Sequence, residues 1–375
     1  MKISIIHNVI TDYKTALFNE IGNNLKTENN DFEVVYIAPT ENIREWDIDY
    51  SSIKFKHSFL SDKSLDNLSA IKTVFSIWKK LSVQNPDIVI IAEYIHIAYW
   101  VALFWAKLHR KKIGLWLDSH YLDKSRHPIK EKIKQLLVKR LDFGLASSTK
   151  SKDYFVSLGL AESMCSILGY AVDNDFYQKE YQQHLKNRKD ILKELDLPQK
   201  NFIYVGRFAR EKNLANLISC YHRAKVAGLE WGLILVGGGP LYERLSDYVE
   251  KNQIPDISMP GFIQKDNICK YYACSDLLIL PSFSEPWGLV VNEAMACGLP
   301  VAVSVNCGCY PDIARDDSNA FVFDPNDDEK LYKILMASTK APCLDQIGEN
   351  SKKIIAEYTP QKVADRFIAA VSRLK

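Results

Sequence analysis

Glu285 and Glu293 stand eight residues apart in PSFSEPWGLVVNEAMACGLPV, residues 281–301. The first carboxylate lies just before a helix expected to start near Pro286 to Trp287, and the second lies inside that helix among apolar side chains. A carboxylate in such a place is costly unless it is paired or hydrogen-bonded. Ribose hydroxyls are suitable donors. The first-turn amides of Gly288, Leu289 and Val290, which have no partner inside a helix, suit a diphosphate. The plainer alternative is a capped core helix with one snorkelling glutamate.

Two further segments carry comparable chemistry. In FIYVGRFAREKNL, residues 202–214, a strand ends at Gly206, with Arg207 and Lys212 on the loop and at the start of the next helix. Two cations beside a helix N-terminus form an anion site, although a solvated basic turn has the same composition. In LILVGGGPL, residues 233–241, a strand runs into three glycines, with Pro240 placed to begin a helix. Gly238 and Gly239 offer backbone amides to phosphate or substrate, or simply a tight turn. The run is not a dinucleotide fingerprint, because Tyr242 stands where a third spaced glycine is required, and the loop His7–Asp12 contains no glycine. A nicotinamide or flavin enzyme thereby loses its main support.

Metal chemistry has little to rest on. The D-x-D strings at Asp47–Asp49 and Asp173–Asp175 lack an apolar strand before them and read as surface turns or linker. Cys307 and Cys309 in one loop are too few ligands for a metal or redox site. The eight cysteines all lie at or after Cys165 at irregular spacing, which fits reduced thiols in the cytosol better than a disulfide framework.

The elements that must hold these residues alternate between short β-rich runs and longer helical patterns. Strands are expected at Lys2–His7, Phe32–Ala38, Ile53–His57, Asp87–Glu93, Lys112–Asp118, Asp142–Ser147 and Met164–Gly169, and then at Phe202–Val205, Leu233–Val236, Ile257–Pro260, Leu277–Pro281, Val301–Val305 and Phe321–Phe323. Runs such as IVIIA are apolar without alternation, as parallel strands buried on both faces require. Helical patterns such as Tyr13–Leu25 lie between them, giving the rhythm of doubly wound sheets. The polar stretch from Val172 to Lys200 marks a boundary. The expected domains are 1–171, 172–358 and a terminal helix, 359–375, crossing back to the first domain, with a ligand cleft between the two sheets. The apolar run Ile88–Leu108 is interrupted by Glu93 and His96, so it reads as a buried strand and a buried helix rather than a membrane span. The N-terminus goes straight into a strand and lacks the pattern of a signal peptide.

With 375 residues, 47% apolar and 25% charged, the chain is expected to be soluble and globular. Its 48 basic and 46 acidic residues leave a net charge of only +2, unlike a protein built to coat nucleic acid. The charge is uneven, however. Between Trp105 and Arg140 there are eleven Lys/Arg and three acids. Within that strip KEKIKQLLVKR, Lys130–Arg140, reads as an amphipathic helix with Ile133, Leu136 and Leu137 inward. Its basic face suits either water or an anionic membrane.

VGRFAREKN, LVGGGP, PGFIQ, Asp276 in YYACSDLLILPS, and EPWGLVVNEAMACGLPV occur in that order. Together they resemble the retaining, nucleotide-sugar-dependent glycosyltransferases of family four, with their E-x7-E motif. EPWGLVVNEAM, the later CGC and the earlier AVDNDF are similar to one bacterial subgroup. The resemblance covers most of the chain and is dense in its second half. It implies a GT-B architecture: α/β, with two Rossmann-like doubly wound domains facing a central cleft. It also implies residue roles. Arg207 and Lys212 would hold the donor's diphosphate and Glu285 would touch the donor sugar. Gly288, Leu289 and Val290 would give amides to phosphate or sugar. Glu293 would bind the ribose, Phe262 and Ile263 would flank the base, and Gly238 and Gly239 would shape the cleft floor. A histidine after a middle strand of the first domain is common in the family, and His120 in GLWLDSHYLD is the match, with Asp118 and Ser119 as neighbours able to take that place. The chain departs from the family's paired glycines in HNVITDYKT, where Asp12, Tyr13 and Lys14 would face the acceptor, and again at CGC and Asp312.

The expected reaction is transfer of a sugar from a UDP- or GDP-linked donor to a hydroxyl of a bacterial surface glycan or glycolipid, with retained configuration and without metal or other cofactor. The alternatives are an epimerase or phosphorylase on the same architecture, or a glycan-binding scaffold without activity. The expected location is the cytosol, with the basic helix offering contact to the inner face of the plasma membrane.

Overall fold

In a computed structural model, residues 1–27, 29–41, 50–123, 126–316, 318–338 and 344–374 are described, the side chain of Asp12 excepted. The Asp47–Asp49 string and Cys343 lie outside the described residues. The chain divides into two compact units. One comprises Met1–Tyr121, Ser125–Ala171 and Pro360–Lys375; the other comprises Leu122–Lys124 and Val172–Thr359.

Unit 1 contains β1 (Lys2–His7), α1 (Asp12–Thr27), β2 (Asp31–Tyr36), β3 (Lys56–Phe59), α2 (Ala70–Gln84), β4 (Ile88–Ile91), α3 (Ile97–Leu108), β5 (Lys112–Leu117), α4 (Pro128–Val138), β6 (Phe143–Ala146), α5 (Thr149–Ser157) and β7 (Cys165–Ile167). Its seven strands form one sheet in the order β3-β2-β1-β4-β5-β6-β7, and all pairings are parallel. Successive residues of β4 serve opposite faces. Val89 and Ile91 pack with α2, α3, α4 and α5, whereas Ile88 and Ile90 join the core beside α1. That explains the unbroken apolar run, since neither face of this strand meets water.

Unit 2 contains α6 (Asn174–Lys186), α7 (Arg188–Glu194), β8 (Asn201–Val205), α8 (Leu214–Val226), β9 (Gly232–Val236), α9 (Tyr242–Lys251), β10 (Ile257–Gly261), α10 (Lys265–Ala273), β11 (Leu277–Leu280), α11 (Leu289–Ala296), β12 (Val301–Ser304), β13 (Ala320–Phe323), α12 (Asp328–Ser338) and α13 (Leu344–Ile355). Its sheet order is β10-β9-β8-β11-β12-β13, again all parallel. The last helix, α14 (Pro360–Ser372), belongs to unit 1, where Val363 and Phe367 share a core with Leu17 and Phe18 of α1.

Several expectations need correction. β3 starts three residues later than expected. Phe55 is buried in the core ahead of the strand, and the pairing is fixed by charge. Glu33 of β2 sits 3.3 Å from Lys56 and accepts a 2.8 Å hydrogen bond from Ser58. The polar segment after Val172 is helical, and Asp173 is the cap of α6, accepting from the Phe176 amide at 3.0 Å. This string is therefore a helix start and not a turn or linker. α4 buries Leu137 and Val138, while Ile133 and Leu136 face solvent. Lys134 is drawn inward by Glu131 at 2.6 Å and Tyr154 at 2.9 Å, which rotates the apolar stripe outward. Nor is α3 buried all round, since Phe104 is 63% exposed. Among the described residues no helix is long and apolar enough to cross a membrane.

Candidate functional site

The strand order of unit 2 reverses direction between β8 and β11, which lie side by side. In open parallel sheets the loops at the carboxyl ends of such a pair diverge and leave a crevice for ligands. The loop after β8 carries Arg207 and Lys212, and the loop after β11 carries Glu285. Strand order therefore explains why residues so far apart in sequence meet.

Lys212 ends a short 3₁₀ turn, Arg210–Lys212, just before α8. Its Nζ donates to Glu285 Oε2 at 2.6 Å, with side chains 16% and 14% exposed respectively. The backbones lock the same two loops together, because the amides of Phe283 and Ser284 both donate to the Glu211 carbonyl, at 2.8 and 3.4 Å. Arg207 is exposed on the same loop. The cation expected for an anion thus already holds a carboxylate, while Arg207 points its charge toward solvent.

α11 starts at Leu289, two to three residues later than expected. Gly288 precedes it at φ +100, a conformation that side chains disfavour. The amides of Leu289 and Val290 fall in the first turn and have no acceptor within the helix. Glu293 lies one turn further on. Its carboxylate accepts from Tyr272 Oη at 2.7 Å and from Tyr177. Burial pushes the Glu293 carboxyl above the usual carboxylate range, against the pull of those two hydrogen bonds. The donors this residue needs are therefore partly supplied by the chain itself, by phenols from α6 and α10. Two donors leave an ionised carboxylate with unused acceptor positions, enough for a vicinal diol.

The glycine loop after β9 is knitted to its neighbours. The Phe208 amide donates to Gly238 O at 2.7 Å, Leu241 to Phe208 O at 3.0 Å, and Gly237 to Gly261 O at 2.8 Å. A Cβ at 237 would overlap the Gly206 carbonyl, so only glycine lets these loops approach. Gly238 instead faces open space, and Gly239 is exposed. Phe262 and Ile263 follow β10, and Phe262 is 57% exposed, leaving a ring face available for stacking.

The sequence reading missed the clamp around Glu285. Gly308 donates to the Glu285 carbonyl at 2.9 Å and Cys309 to the Trp287 carbonyl at 3.1 Å. Trp287 is held in turn by Asn292 at 2.7 Å. The CGC loop is thus a backbone brace, and the seven described cysteines are free thiols. The signal was the Cys-Gly-Cys run shortly after an expected strand. Nothing in the sequence pointed to Tyr177 or Tyr272.

His120 belongs to unit 1, in the loop after β5. It is wholly buried, and its carbonyl accepts from Arg126. Nearby, Asp118 accepts from Ser147, and Lys14 Nζ lies 4.0 Å from it, over the Trp116 and Tyr170 rings. Burial lowers the Lys14 pKa, with the Asp118 charge opposing.

Residues 186–354 match the family model described as glycosyl transferases group 1. That span includes every candidate in unit 2 and excludes His120. An uncharacterised glycosyltransferase of Methanocaldococcus jannaschii is 26% identical over 196 residues, spanning about half of each chain, 50% of this one and 54% of the relative. The lipopolysaccharide 1,6-galactosyltransferase of Escherichia coli is 27% identical over 344 residues, 86% of each. Anabaena HepE, solved in complex with UDP, superposes with a TM-score of 0.76 at 16% identity over the full length of both. The fold is therefore α/β with two Rossmann-like parallel sheets, as in the GT-B glycosyltransferases.

Proposed function

We propose, for a chain whose residues 186–354 carry the match to group 1 glycosyl transferases, that it moves a sugar from a UDP- or GDP-linked donor to a hydroxyl acceptor with retained anomeric configuration. The observation that carries this reading is the Lys212–Glu285 pair at the β8/β11 reversal, beside the open first turn of α11. In the proposed reaction the bond between the sugar's anomeric carbon and the diphosphate oxygen breaks. The acceptor oxygen bonds that carbon on the same face, and its proton passes to the departing phosphate. A departing diphosphate needs positive charge and oriented donors. Lys212, Arg207 and the amides of Gly288, Leu289 and Val290 supply them, each charge-assisted hydrogen bond being worth roughly 1.5–3 kcal/mol. With these groups no metal ion or other cofactor is required by the proposal.

The carboxylate of Glu285 has two uses in this scheme. Without donor it holds Lys212; with donor it accepts hydroxyls of the sugar while Lys212 turns to phosphate. Glu293 accepts the ribose diol, the exposed face of Phe262 and the side chain of Ile263 flank the base, and Gly238 and Gly239 leave room for the sugar. The acceptor is proposed to be a bacterial surface glycan or glycolipid. The exposed Lys130 and Lys132 of α4 would rest on the anionic inner leaflet, each adding about 1 kcal/mol.

The test is release of nucleoside diphosphate from a panel of UDP- and GDP-sugars, with and without chelator, followed by NMR of the product's anomeric centre. Transfer with retention, unaffected by chelator, is expected. Release of free epimerised sugar without acceptor would replace this reading with epimerisation, and inversion would exclude the proposed geometry.

A further inference from the structure

Helices α2, α3 and α4 cover one face of the unit 1 sheet, with their inner residues in a single core. Their outer sides are unusual. Phe75 of α2 is 71% exposed, Phe104 and Leu108 of α3 are 63% and 60% exposed, and Ile71, Ile97, Ile129, Ile133 and Leu136 are also exposed. Positions 71 and 75 share one face of α2, and 97, 104 and 108 share one face of α3. The two stripes meet, since the rings of Trp78 and Phe104 are 6.1 Å apart. The layer continues to α4, whose Lys134 lies 5.0 Å from the Tyr94 ring just ahead of α3.

The exposed charges of these three helices have one sign. The three helices contain one acid, Glu131, bonded to Lys134 at 2.6 Å; Lys80 is paired with Glu33 at 2.6 Å and Lys107 with Asp142 at 3.0 Å, which leaves Lys72, Lys79, Lys130 and Lys132 as the exposed lysines without such a pair. Exposed aromatic and aliphatic side chains interspersed with exposed lysines are the composition of a surface that lies in a lipid interface. The four exposed lysines without a paired carboxylate complement an anionic leaflet.

We propose that the outer face of α2 and α3 inserts into an anionic lipid bilayer, with Phe75, Phe104 and Leu108 entering the acyl boundary and Lys72, Lys79, Lys130 and Lys132 at headgroup level. This rests on the membrane placement above and names the part of the chain that enters the lipid, which the basic helix α4 alone does not.

The experiment is flotation of the full chain with phosphatidylcholine vesicles, with or without 30% phosphatidylglycerol, at 0.1 and 0.5 M NaCl. The variants are Phe75→Ser/Phe104→Ser and Lys130→Ala/Lys132→Ala, with thermal melting followed to confirm folding. The wild type is expected to float with anionic vesicles and to keep part of that binding at high salt. The serine variant is expected to melt like the wild type and to bind at least tenfold less at either salt. The alanine variant is expected to lose binding mainly at low salt. Serine-variant binding equal to wild type, with binding abolished by salt, would overturn insertion while leaving the α4 contact standing. Absence of wild-type flotation on any vesicle would overturn both. A concentration-dependent dimer in sedimentation, lost in the serine variant and without flotation, would assign the ridge to a second copy instead. Should the serine variant melt lower, Ile71→Ser/Leu108→Ser provides the same comparison.

Discussion

Lys212 and Glu285, seventy-three residues apart, meet at 2.6 Å because β8 and β11 are neighbours in unit 2. The ammonium and carboxylate hold each other, and the proposed reaction uses both. In the proposed reaction, removing Lys212 takes away a donor for the departing diphosphate. Lys212→Ala is expected to lower turnover by roughly 100-fold. Glu285→Ala should fall by a similar factor, and the double variant by less than the product of the two, as for groups acting as a unit. Steady-state rates with a saturating nucleotide-sugar check this. Unchanged turnover in either single variant would remove the pair from the reaction.

Tyr272 and Tyr177 hold Glu293, the residue proposed to accept the ribose diol. Tyr272→Phe is expected to weaken nucleotide binding by several-fold to tenfold through a less ordered carboxylate, in line with the loss of one hydrogen bond to a charged group. Calorimetric titration of the nucleotide is the check, with equal affinity as the contrary result.

The pH dependence of Glu293 follows from the raised pKa that burial gives it. In the fold it keeps a proton at pH values where the unfolded chain has lost it. Its contribution to stability is therefore present below the ordinary carboxylate range and is lost as pH rises through the raised value. Binding of a diol runs the other way, because it needs the ionised form. Nucleotide affinity should fall as pH drops through that value. Glu293→Gln should abolish this dependence and gain melting temperature relative to wild type as pH rises. Parallel pH profiles for the two proteins would contradict the assignment.

Adjacent glycines should respond differently. At Gly237 a methyl group meets the Gly206 carbonyl, in backbone that cannot yield cheaply. Gly237→Ala is expected to cost about 2–3 kcal/mol of stability. Gly238 faces open space, so Gly238→Ala should stay within about 0.5 kcal/mol of wild type while reducing donor affinity. Denaturant unfolding and titration, run on both, separate the two effects.

Glu33 gives a pH test far from the site. Burial would raise its pKa, but hydrogen bonds from Lys80, Ser58 and Gln84, with the charge on Lys80, bring it down to about 2. Its stabilisation is present above the ordinary carboxylate range and lost as pH falls through about 2. Glu33→Gln should cost on the order of 2–3 kcal/mol near pH 7. The gap between the two proteins should close on acidification. A constant gap from pH 7 to 2 would rule out an ionic origin.

Much of the fold was legible because parallel strands buried on both faces leave unbroken apolar runs. IVII at residues 88–91 and LLIL at residues 277–280 could hardly be other elements. What failed to show was direction and partnership. β3 slipped because Glu33 and Lys56 set its pairing, a contact between strands that local sequence does not encode. The outward turn of Ile133 and Leu136 depends on Lys134 finding Glu131 and Tyr154. In the candidate site, the residue types and spacing of Arg207, Lys212, Glu285 and Glu293 were readable. The Lys212–Glu285 bond and the phenols from α6 and α10 depend on strand order and helix packing.

The most direct measurement is titration calorimetry of UDP and GDP against the wild type and Lys212→Ala. One of the two diphosphates is expected to bind the wild type, with affinity unchanged by chelator, and to bind Lys212→Ala at least tenfold more weakly. Failure of both to bind the folded wild type, or equal affinity in the variant, would contradict a diphosphate site at the Lys212–Glu285 pair.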